Sequence, residues 1–227
     1  MSDFQDVEKE AAAHASLQFV HDGQIVGLGT GSTASRAVRL LGAAVKAGLK
    51  IRGIPTSVHT KELAESLDIP LLTLDEVQQI DVTIDGADEI DPQLQLIKGG
   101  GGALLREKVI ASASRQMIVL GDSSKQVSLL GKFPLPVEVI PFAQVLVGKR
   151  ISALGASVHL RVDGPGKPFV TDEGHHILDC SFGQIPDPPS LARQLSDMPG
   201  VVEHGLFIHL ASVALIAQNG KVQVLRR

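Results

Sequence analysis

Three kinds of reactive side chain surround a run of four glycines near the middle of the chain. Asp85 and Asp88 precede the run, Lys98 adjoins it, the glycines occupy positions 99–102, and Glu107 follows. A carboxylate can carry a proton to and from a reacting carbon, and a lysine together with backbone amides can stabilise developing negative charge on oxygen. The pattern therefore predicts proton transfer on an anionic sugar.

The four-glycine run is best explained by close approach of the backbone to a ligand, because glycines lose much chain entropy on folding. A flexible linker is the alternative, but the run lies between a predicted apolar strand, LQLI, and a predicted apolar helix, ALLREKVIASA. Glu107 lies four residues after Ala103, on one face of the predicted helix, and helical side chains lean towards the helix start. Its carboxylate is predicted to approach the glycines, although an isolated glutamate is more often a solvated helix residue.

Asp85 and Asp88 follow the predicted strand DVTI, and Lys125 follows the predicted strand QMIVLG. The carboxyl ends of strands in a parallel sheet are where such folds bind ligands, so these groups are predicted to line a crevice. Taken alone, DGADEID favours a purely structural acidic turn by about two to one, since Asp is common in turns. Lys125 alone would be an ordinary surface lysine, and magnesium on the two aspartates is a secondary possibility.

A second glycine loop, GLGTGSTA at positions 27–34, joins the first predicted strand to a helix. Helix N-terminal amides and small hydroxyls at such a position favour phosphate. A dinucleotide is disfavoured because no Asp or Glu lies between Asp22 and Glu62, and no Gly-Lys-Ser/Thr follows as in a Walker loop. At about even odds, the loop alone is only a tight turn with Ser32 as the helix cap.

Helical and strand patterns alternate over the first 131 residues, which predicts a doubly wound, mainly parallel sheet. Prolines at 134, 136 and 141 exclude a central strand of the same sheet, so a second unit is predicted there. Its strand–helix–strand–strand–helix–strand order is typical of a ferredoxin-like α+β domain. We therefore expect an α/β catalytic domain over 1–131 and 209–227, with a C-terminal hairpin turning at Asn219-Gly220, and a smaller domain over 132–208. In the first domain, strands are predicted at 23–29, 51–54, 70–72, 81–84 and 117–120. Helices are predicted at 4–19, 32–48, 59–67 and 103–113.

Composition excludes several classes of function. The net charge is −4 and aromatic residues make up 3% of the 227 residues, with neither Trp nor Tyr, which argues against nucleic-acid binding. The single cysteine, Cys180, indicates a reducing compartment, and neither a signal peptide nor an apolar run long enough for a membrane is present. The eight histidines lack metal-ligand spacing. We expect a soluble, cytoplasmic protein with neither metal nor cofactor.

Four segments, GTGSTA, DGADEID, KGGGGALLREK and GKFPLPVEVIP, resemble the motifs of the ribose-5-phosphate isomerase type A family. The resemblance runs over most of the chain. It implies an α/β domain with a smaller α+β domain, a homodimer, and metal-free interconversion of ribose 5-phosphate and ribulose 5-phosphate in the pentose phosphate pathway.

The resemblance also implies roles for individual residues. Glu107 resembles the family's proton acceptor, and Asp85, Asp88 and Lys98 would assist as catalytic groups. The substrate would be bound by four segments that match the family's binding residues: Thr30, Gly31, Ser32 and Thr33; Asp85, Gly86, Ala87 and Asp88; Lys98, Gly99, Gly100 and Gly101; and Lys125.

The sequence departs from the family pattern at Pro55-Thr56-Ser57 and at 209–212, which leaves the substrate contacts near Ser57 and the interface near Ser212 open. Two other functions remain as alternatives. A sugar-phosphate sensor would need an added DNA-binding segment, and only about one helix precedes the first strand. An amino-sugar phosphate deaminase is expected to differ around KGGGGALLREK.

Overall fold

The computed structural model describes residues 3–227 of the chain. Within these residues there are six α-helices: α1 (Asp3–Ser16), α2 (Ser32–Lys46), α3 (Val58–Ser66), α4 (Leu104–Ser112), α5 (Gln144–Ala153) and α6 (Pro188–Ser196). The strands are β1 (Ile25–Leu28), β2 (Arg52–Pro55), β3 (Val82–Gly86), β4 (Glu89–Ile90), β5 (Leu96–Ile97), β6 (Met117–Asp122), β7 (Leu135–Val139), β8 (Ser157–Leu160), β9 (His176–Ser181), β10 (Val201–His204), β11 (Leu206–Phe207), β12 (Val213–Gln218) and β13 (Lys221–Arg226).

The chain divides into two compact units. The first comprises residues 1–87, 106–126 and 209–227, and the second comprises residues 88–105 and 127–208. Helix α4 begins in the second unit and continues into the first. The first unit contains one sheet and the second contains two, and each unit has its own core.

The first unit is built on a six-stranded sheet in the order β13-β12-β6-β3-β1-β2. All neighbours are parallel except β12 and β13, which form the C-terminal hairpin. The chain runs from β1 outward to β2 and then returns to β3 on the other side of β1. The order therefore reverses between β1 and β3, and the carboxyl ends of these two strands form the topological switch point, where doubly wound sheets bind ligands.

Alternating side chains of this sheet pack against helices on both faces. Val26 and Leu28 of β1 lie in a buried cluster with Ala37 and Leu41 of α2. Between them, Gly27 faces the opposite side, where an added Cβ would lie 2.8 Å from Ile110 of α4. Because successive strand residues point to opposite faces, the pattern places helices on both sides. It confirms the predicted doubly wound, mainly parallel sheet.

The second unit contains a four-stranded antiparallel sheet in the order β10-β7-β9-β8. Helix α5 follows β7 and helix α6 follows β9, so the element order is that of the predicted ferredoxin-like domain. Its core includes Val137 and Val139 of β7 with Val147 and Ile151 of α5. A separate three-stranded sheet, in the order β11-β5-β4, leads into the four-glycine run.

Two local features differ from the expected elements. The predicted strand at 70–72 is reduced to a single parallel bridge between Leu71 and Gly53, within the seven residues (67–73) that separate α3 from a short 3-10 helix beginning at Leu74. The strand predicted within LQLI contracts to the two residues of β5.

Candidate active site

Asp85 and Thr30 meet at the switch point of the first unit. Asp85 lies in β3 and is fully buried, and its Oδ1 accepts hydrogen bonds from the N–H groups of Thr30, at 3.1 Å, and of Gly86, at 2.7 Å. An added Cβ on Gly29 would lie 2.6 Å from the Asp85 Cα, so only glycine allows this approach of the loop to the strand. The structure thus brings together three of the predicted binding residues, Thr30, Asp85 and Gly86.

Hydroxyl groups that follow β2 hold the Thr30 side chain. The Thr30 Oγ1 lies 2.7 Å from the Oγ1 of Thr56 and donates to the Oγ of Ser57 at 2.8 Å. It also lies 3.0 Å from the Oγ1 of Thr60, which itself donates to the Gly29 carbonyl at 3.0 Å. Thr56 and Thr60 were not among the predicted site residues, and the contacts near Ser57 had remained open. The signal was a hydroxyl-rich segment, PTS, after a predicted parallel strand.

Gly31, rather than Ser32, is the N-cap of α2, and no side chain caps this helix end. The first turn of α2 has no acidic residue, so its amides offer a favourable environment for an anion. Thr33 is buried in this turn. Ser32 is exposed and lines a shallow cavity of about 390 Å³ along α2, together with Glu10, Ser35, Arg36, Arg39 and Leu40.

Lys125 ends a short 3-10 helix directly after β6, and two acidic side chains fix that segment. Asp122 accepts hydrogen bonds from the amide of Ser124, at 2.9 Å, and from its hydroxyl. Glu8 of α1, which is buried, accepts from the Ser123 N–H at 2.9 Å and from its Oγ at 2.7 Å. The anchoring by Glu8 spans 115 positions of sequence and was not anticipated.

Glu107 lies in the first turn of α4 and is only 4% exposed. The alternative of a solvated helix residue is therefore wrong for this glutamate. A carboxylate in such a place loses most of its hydration, which is the kind of environment in which catalytic carboxylates are found.

The second unit holds five of the predicted residues, around the four glycines: Asp88, Lys98, Gly99, Gly100 and Gly101. The Gly100 N–H donates to Asp88 Oδ2 at 2.8 Å, and an added Cβ on Gly100 would lie 2.7 Å from Asp88 Oδ1. The Gly102 N–H donates to the Gly99 carbonyl at 3.0 Å, which closes a tight turn. The loop thus has a defined hydrogen-bonded geometry, and one of its amides binds a carboxylate of the protein itself.

Lys98 is 2% exposed and is held at both its backbone and its side chain. Its N–H donates to the Gly205 carbonyl at 2.9 Å, and its Nζ lies 5.4 Å from the centroid of the Phe207 ring. Both contacts come from the chain around β11. A lysine this deeply buried is rare unless its charge has a partner or a function.

Across residues 3–227 no helix is long and apolar enough to cross a membrane. Within the same residues, His, Cys, Asp and Glu side chains form no group of three or more suited to a metal ion.

Comparison with known proteins identifies one family. The model of ribose 5-phosphate isomerase A (phosphoriboisomerase A) matches residues 52–221. A ribose-5-phosphate isomerase A from Agrobacterium fabrum is 55% identical over 215 residues, which cover 92% of this chain and 93% of that protein. The corresponding enzyme from Parvibaculum lavamentivorans is 52% identical over 221 residues, covering 94% and 95%.

Solved structures agree with the sequence matches. A D-ribose-5-phosphate isomerase in complex with phospho-erythronic acid has a TM-score of 0.95 and 40% identity, with 100% of both chains covered. The ribose 5-phosphate isomerase A of Methanocaldococcus jannaschii has a TM-score of 0.92 and 41% identity, covering 98% of this chain and 99% of that one. The chain therefore belongs to the ribose 5-phosphate isomerase A family.

Proposed function

We propose that this protein is an aldose–ketose isomerase that interconverts D-ribose 5-phosphate and D-ribulose 5-phosphate in the non-oxidative pentose phosphate pathway. The observation that carries the proposal is the burial of three ionisable side chains, Asp85, Lys98 and Glu107, which are 0%, 2% and 4% exposed. Charged side chains are rarely buried for packing alone, and an ionisable group in such an environment is a candidate for function.

Glu107 is the base of the proposed reaction. It removes the proton from C2 of the open-chain aldose, which leaves an enediolate across C1 and C2. The same carboxyl group then delivers the proton to C1, while a proton moves between O1 and O2, and the ketose results. No electrons leave the substrate, so no redox cofactor is required, and one general base is sufficient.

Asp85, Asp88 and Lys98 assist the proton transfer. The two aspartates position sugar hydroxyls and support ring opening and the exchange of protons on O1 and O2. Lys98 and the backbone amides of Gly99 and Gly101 stabilise the negative charge that develops on oxygen in the enediolate, and the Gly100 amide holds Asp88. Binding of phospho-erythronic acid by a relative with this fold supports the proposal, since that ligand is a phosphorylated sugar acid and carries negative charge on oxygen.

The phosphate of the substrate binds to the first unit in this proposal. Thr30–Thr33 supply amides and hydroxyls at the start of α2, and Lys125 supplies positive charge. Gly86 and Ala87 complete the substrate-binding segment after β3. The lack of an acidic residue in the first turn of α2 supports this assignment, because an anion there meets no opposing carboxylate.

We also propose that the protein is a cytoplasmic homodimer whose catalytic domain comprises residues 1–131 and 209–227. The family resemblance supports the dimer, and the single cysteine supports a reducing compartment. Sedimentation equilibrium tests the dimer directly. A mass of one chain, 24.0 kDa, at micromolar concentration would contradict it.

The decisive experiment is an assay of the purified protein with ribose 5-phosphate in the presence of a chelator. We expect ribulose 5-phosphate to form at an undiminished rate. Absence of turnover would contradict the proposed activity. Loss of the rate with chelator and recovery with a divalent ion would instead contradict the metal-free mechanism and leave the isomerase assignment intact.

A further inference from the structure

The four-glycine loop is held from behind by a side chain that lies about sixty positions further along the chain. Arg161 follows β8, and its Nη1 donates to the carbonyl of Gly99 at 2.9 Å and to the carbonyl of Gly100 at 3.2 Å. None of the motifs that identify the family includes this arginine. Its role must therefore be inferred from the contacts themselves.

These two hydrogen bonds fix the direction of the loop amides. In a planar trans peptide the C=O and the N–H point to opposite sides. Since the carbonyls of Gly99 and Gly100 both point to Arg161, the N–H groups of Gly100 and Gly101 point away from it. The Gly100 N–H indeed donates to Asp88 at 2.8 Å. Successive N–H groups directed to one side form an anion-binding nest, so the loop offers its amides on the side of Asp88.

Arg161 is itself held in a single orientation. Its Nε and Nη2 donate to the two carboxylate oxygens of Asp179 on β9, at 3.0 and 2.5 Å, and its backbone N–H donates to the Ile177 carbonyl at 2.8 Å. The Arg161 side chain is 15% exposed. A bidentate arginine–carboxylate pair with little solvent exposure is geometrically well defined.

Phe169 supports the far end of the same loop. Its ring lies 5.8 Å from the Arg161 guanidinium carbon, and its N–H donates to the Arg161 carbonyl at 2.9 Å. Gly102 has a φ of +82°, and an added Cβ there would lie 2.4 Å from the ring. The aromatic ring thus occupies the space beside the glycine and prevents the loop from moving in that direction.

Glycine peptides rotate easily because glycine accepts positive and negative φ with similar ease, and Gly99 already has a φ of +99°. Without the Arg161 donor, the Gly100–Gly101 peptide would turn over more readily, whereas the Gly102 N–H and Asp88 would still hold the Gly99–Gly100 peptide. Asp179 balances the charge of Arg161. Arg161 therefore acts on the loop through its hydrogen bonds to the two carbonyls rather than through a net positive potential.

We propose that Arg161, held by Asp179 and Phe169, is a positioning residue for isomerisation: it orients the Gly100 and Gly101 amides and, through the Gly100 amide, the Asp88 carboxylate. The inference rests on the proposed function, because it assigns the Gly101 amide to the enediolate and Asp88, which the Gly100 amide holds, to the sugar hydroxyls. Arg161 contacts no reacting atom in this account.

The test compares Arg161→Gln and Arg161→Lys with the unchanged protein in the same isomerase assay. We expect kcat to fall about 10- to 100-fold in both, which is less than the loss of a direct oxyanion donor. KM should change less than about threefold, because interactions made mainly in the transition state affect kcat and kcat/KM alike. Lysine should not restore the rate, since an ammonium cannot hold two carbonyls and a carboxylate together as the guanidinium fork does.

Inhibition by phospho-erythronic acid separates positioning from general stability. If the amides are misdirected, the inhibition constant should rise in step with the fall in kcat. If Arg161 only stabilises the unit, fewer molecules will be folded while KM and the inhibition constant of the active fraction stay unchanged, and the proposal is then wrong. Asp179→Asn, which keeps the arginine and loosens its fork, should give a smaller loss in the same direction.

Nuclear magnetic resonance of glycine-labelled protein observes the loop without reference to turnover. The Gly100 and Gly101 amide resonances should shift and exchange faster in Arg161→Gln. Arg193→Gln, an exposed arginine on α6 of the same unit, is the matched control and should change neither the resonances nor the kinetics. Unchanged loop amides in Arg161→Gln would overturn the inference, whereas an inactive parent protein with shifted amides would overturn only the proposed reaction.

Discussion

The two glycine loops of the molecule are fixed by different kinds of interaction. In the first unit, the loop at Gly29–Gly31 is held by Asp85 and by short bonds among neutral hydroxyls, with Thr30 at the centre. In the second unit, the loop at 99–102 is held by a long charged arm, Arg161, which is itself tied to Asp179. The first loop depends on close packing of backbone and hydroxyls, and the second depends on directed charge.

The difference fits the tasks proposed for the two loops. A phosphate carries its full charge throughout the reaction, so its site needs only a fixed shape with donors in place. The enediolate acquires its charge on oxygen during the reaction, and donors must already point at that oxygen when the charge develops. A charge-balanced arginine–aspartate pair can hold amide directions firmly without adding net charge that would also favour the ground state.

The largest expected effect is that of Glu107→Gln in the first unit. Replacing the carboxylate by an amide removes the base while keeping the size of the side chain. The rate should fall at least about 100-fold, the lower bound for loss of a general base. Steady-state assays measure the loss, and Glu62→Gln, on the exposed side of α3, serves as the control.

The fall in kcat also compares the contributions of the two units to catalysis. If the first unit supplies the base and the second directs charge, Glu107→Gln must reduce kcat more than Arg161→Gln does. Near-normal turnover of Glu107→Gln, with the fold intact by circular dichroism, would remove Glu107 from its proposed role.

A pair of alanine substitutions tests how rigid each loop is. In Gly29→Ala the new Cβ would meet the Asp85 backbone at 2.6 Å, and backbone cannot move aside cheaply. We expect the free energy of unfolding to fall by about 3 kcal/mol, the upper range for overpacking. In Gly100→Ala the Cβ meets the end of the Asp88 side chain at 2.7 Å, which can rotate away, so the loss should be about 1 kcal/mol or less.

Urea unfolding measures both losses, and Gly148→Ala within α5 is the control. An added Cβ at Gly148 would have its nearest contact at 3.7 Å, so the helix should gain about 0.5–1 kcal/mol. Equal losses for Gly29→Ala and Gly100→Ala would contradict the contrast between a packed loop and a loop held by charge.

The sequence predicted those parts of the site that depend on local pattern. The strand–loop–helix around Thr30 was recognisable because apolar strand residues, glycines and a helical stripe follow one another within 25 positions. The roles of Thr60 and Arg161 were not recognisable, because their contacts join segments 30 to 62 positions apart. Hydrophobic periodicity does not indicate such long-range contacts, because they depend on how the elements pack. The domain boundary at 131/132 remains a prediction.

Thr30→Val measures the strength of the hydroxyl network in the first unit. The substitution keeps the shape of the side chain and leaves the hydroxyls of Thr56, Ser57 and Thr60 without their common partner. The Thr56 and Thr60 hydroxyls keep their bonds to the Leu28 and Gly29 carbonyls, and the Ser57 hydroxyl keeps its bond to Thr60. We therefore expect the free energy of unfolding to fall by about 0.5–1.5 kcal/mol, the net value of a hydrogen bond. Thr73→Val, in an exposed turn, is the control, and a loss no larger than the control's would show that the network is not needed to hold the loop.

The smallest expected effect concerns buried charge in the second unit away from the glycine loop. Glu138 of β7 is 1% exposed, accepts from the Thr171 hydroxyl at 2.9 Å, and lies 3.0 Å from His175 Nδ1. Burial raises the pKa of its carboxyl group above the ordinary 4.5, and the nearby Glu173 charge adds to the rise, although the bonds from His175 and Thr171 oppose it. The folded protein therefore holds this proton more tightly than the unfolded chain does.

The sign of the pH dependence follows from linkage. A group that binds its proton more tightly in the folded state lowers stability as pH rises from 4.5 through the raised pKa, and above that window the loss is constant. The Glu138→Gln variant has no ionisable group at this position. Its melting temperature minus that of the parent protein should therefore increase as pH rises through the window, and above the window this difference should stay constant. Thr171→Val removes a hydrogen bond that lowers the pKa of Glu138. In this variant the loss of stability should therefore continue to a higher pH than in the parent protein. Thermal melts between pH 4 and 8 measure the difference, and a gap that stays constant or narrows as pH rises would show that this unit tolerates the buried charge without cost.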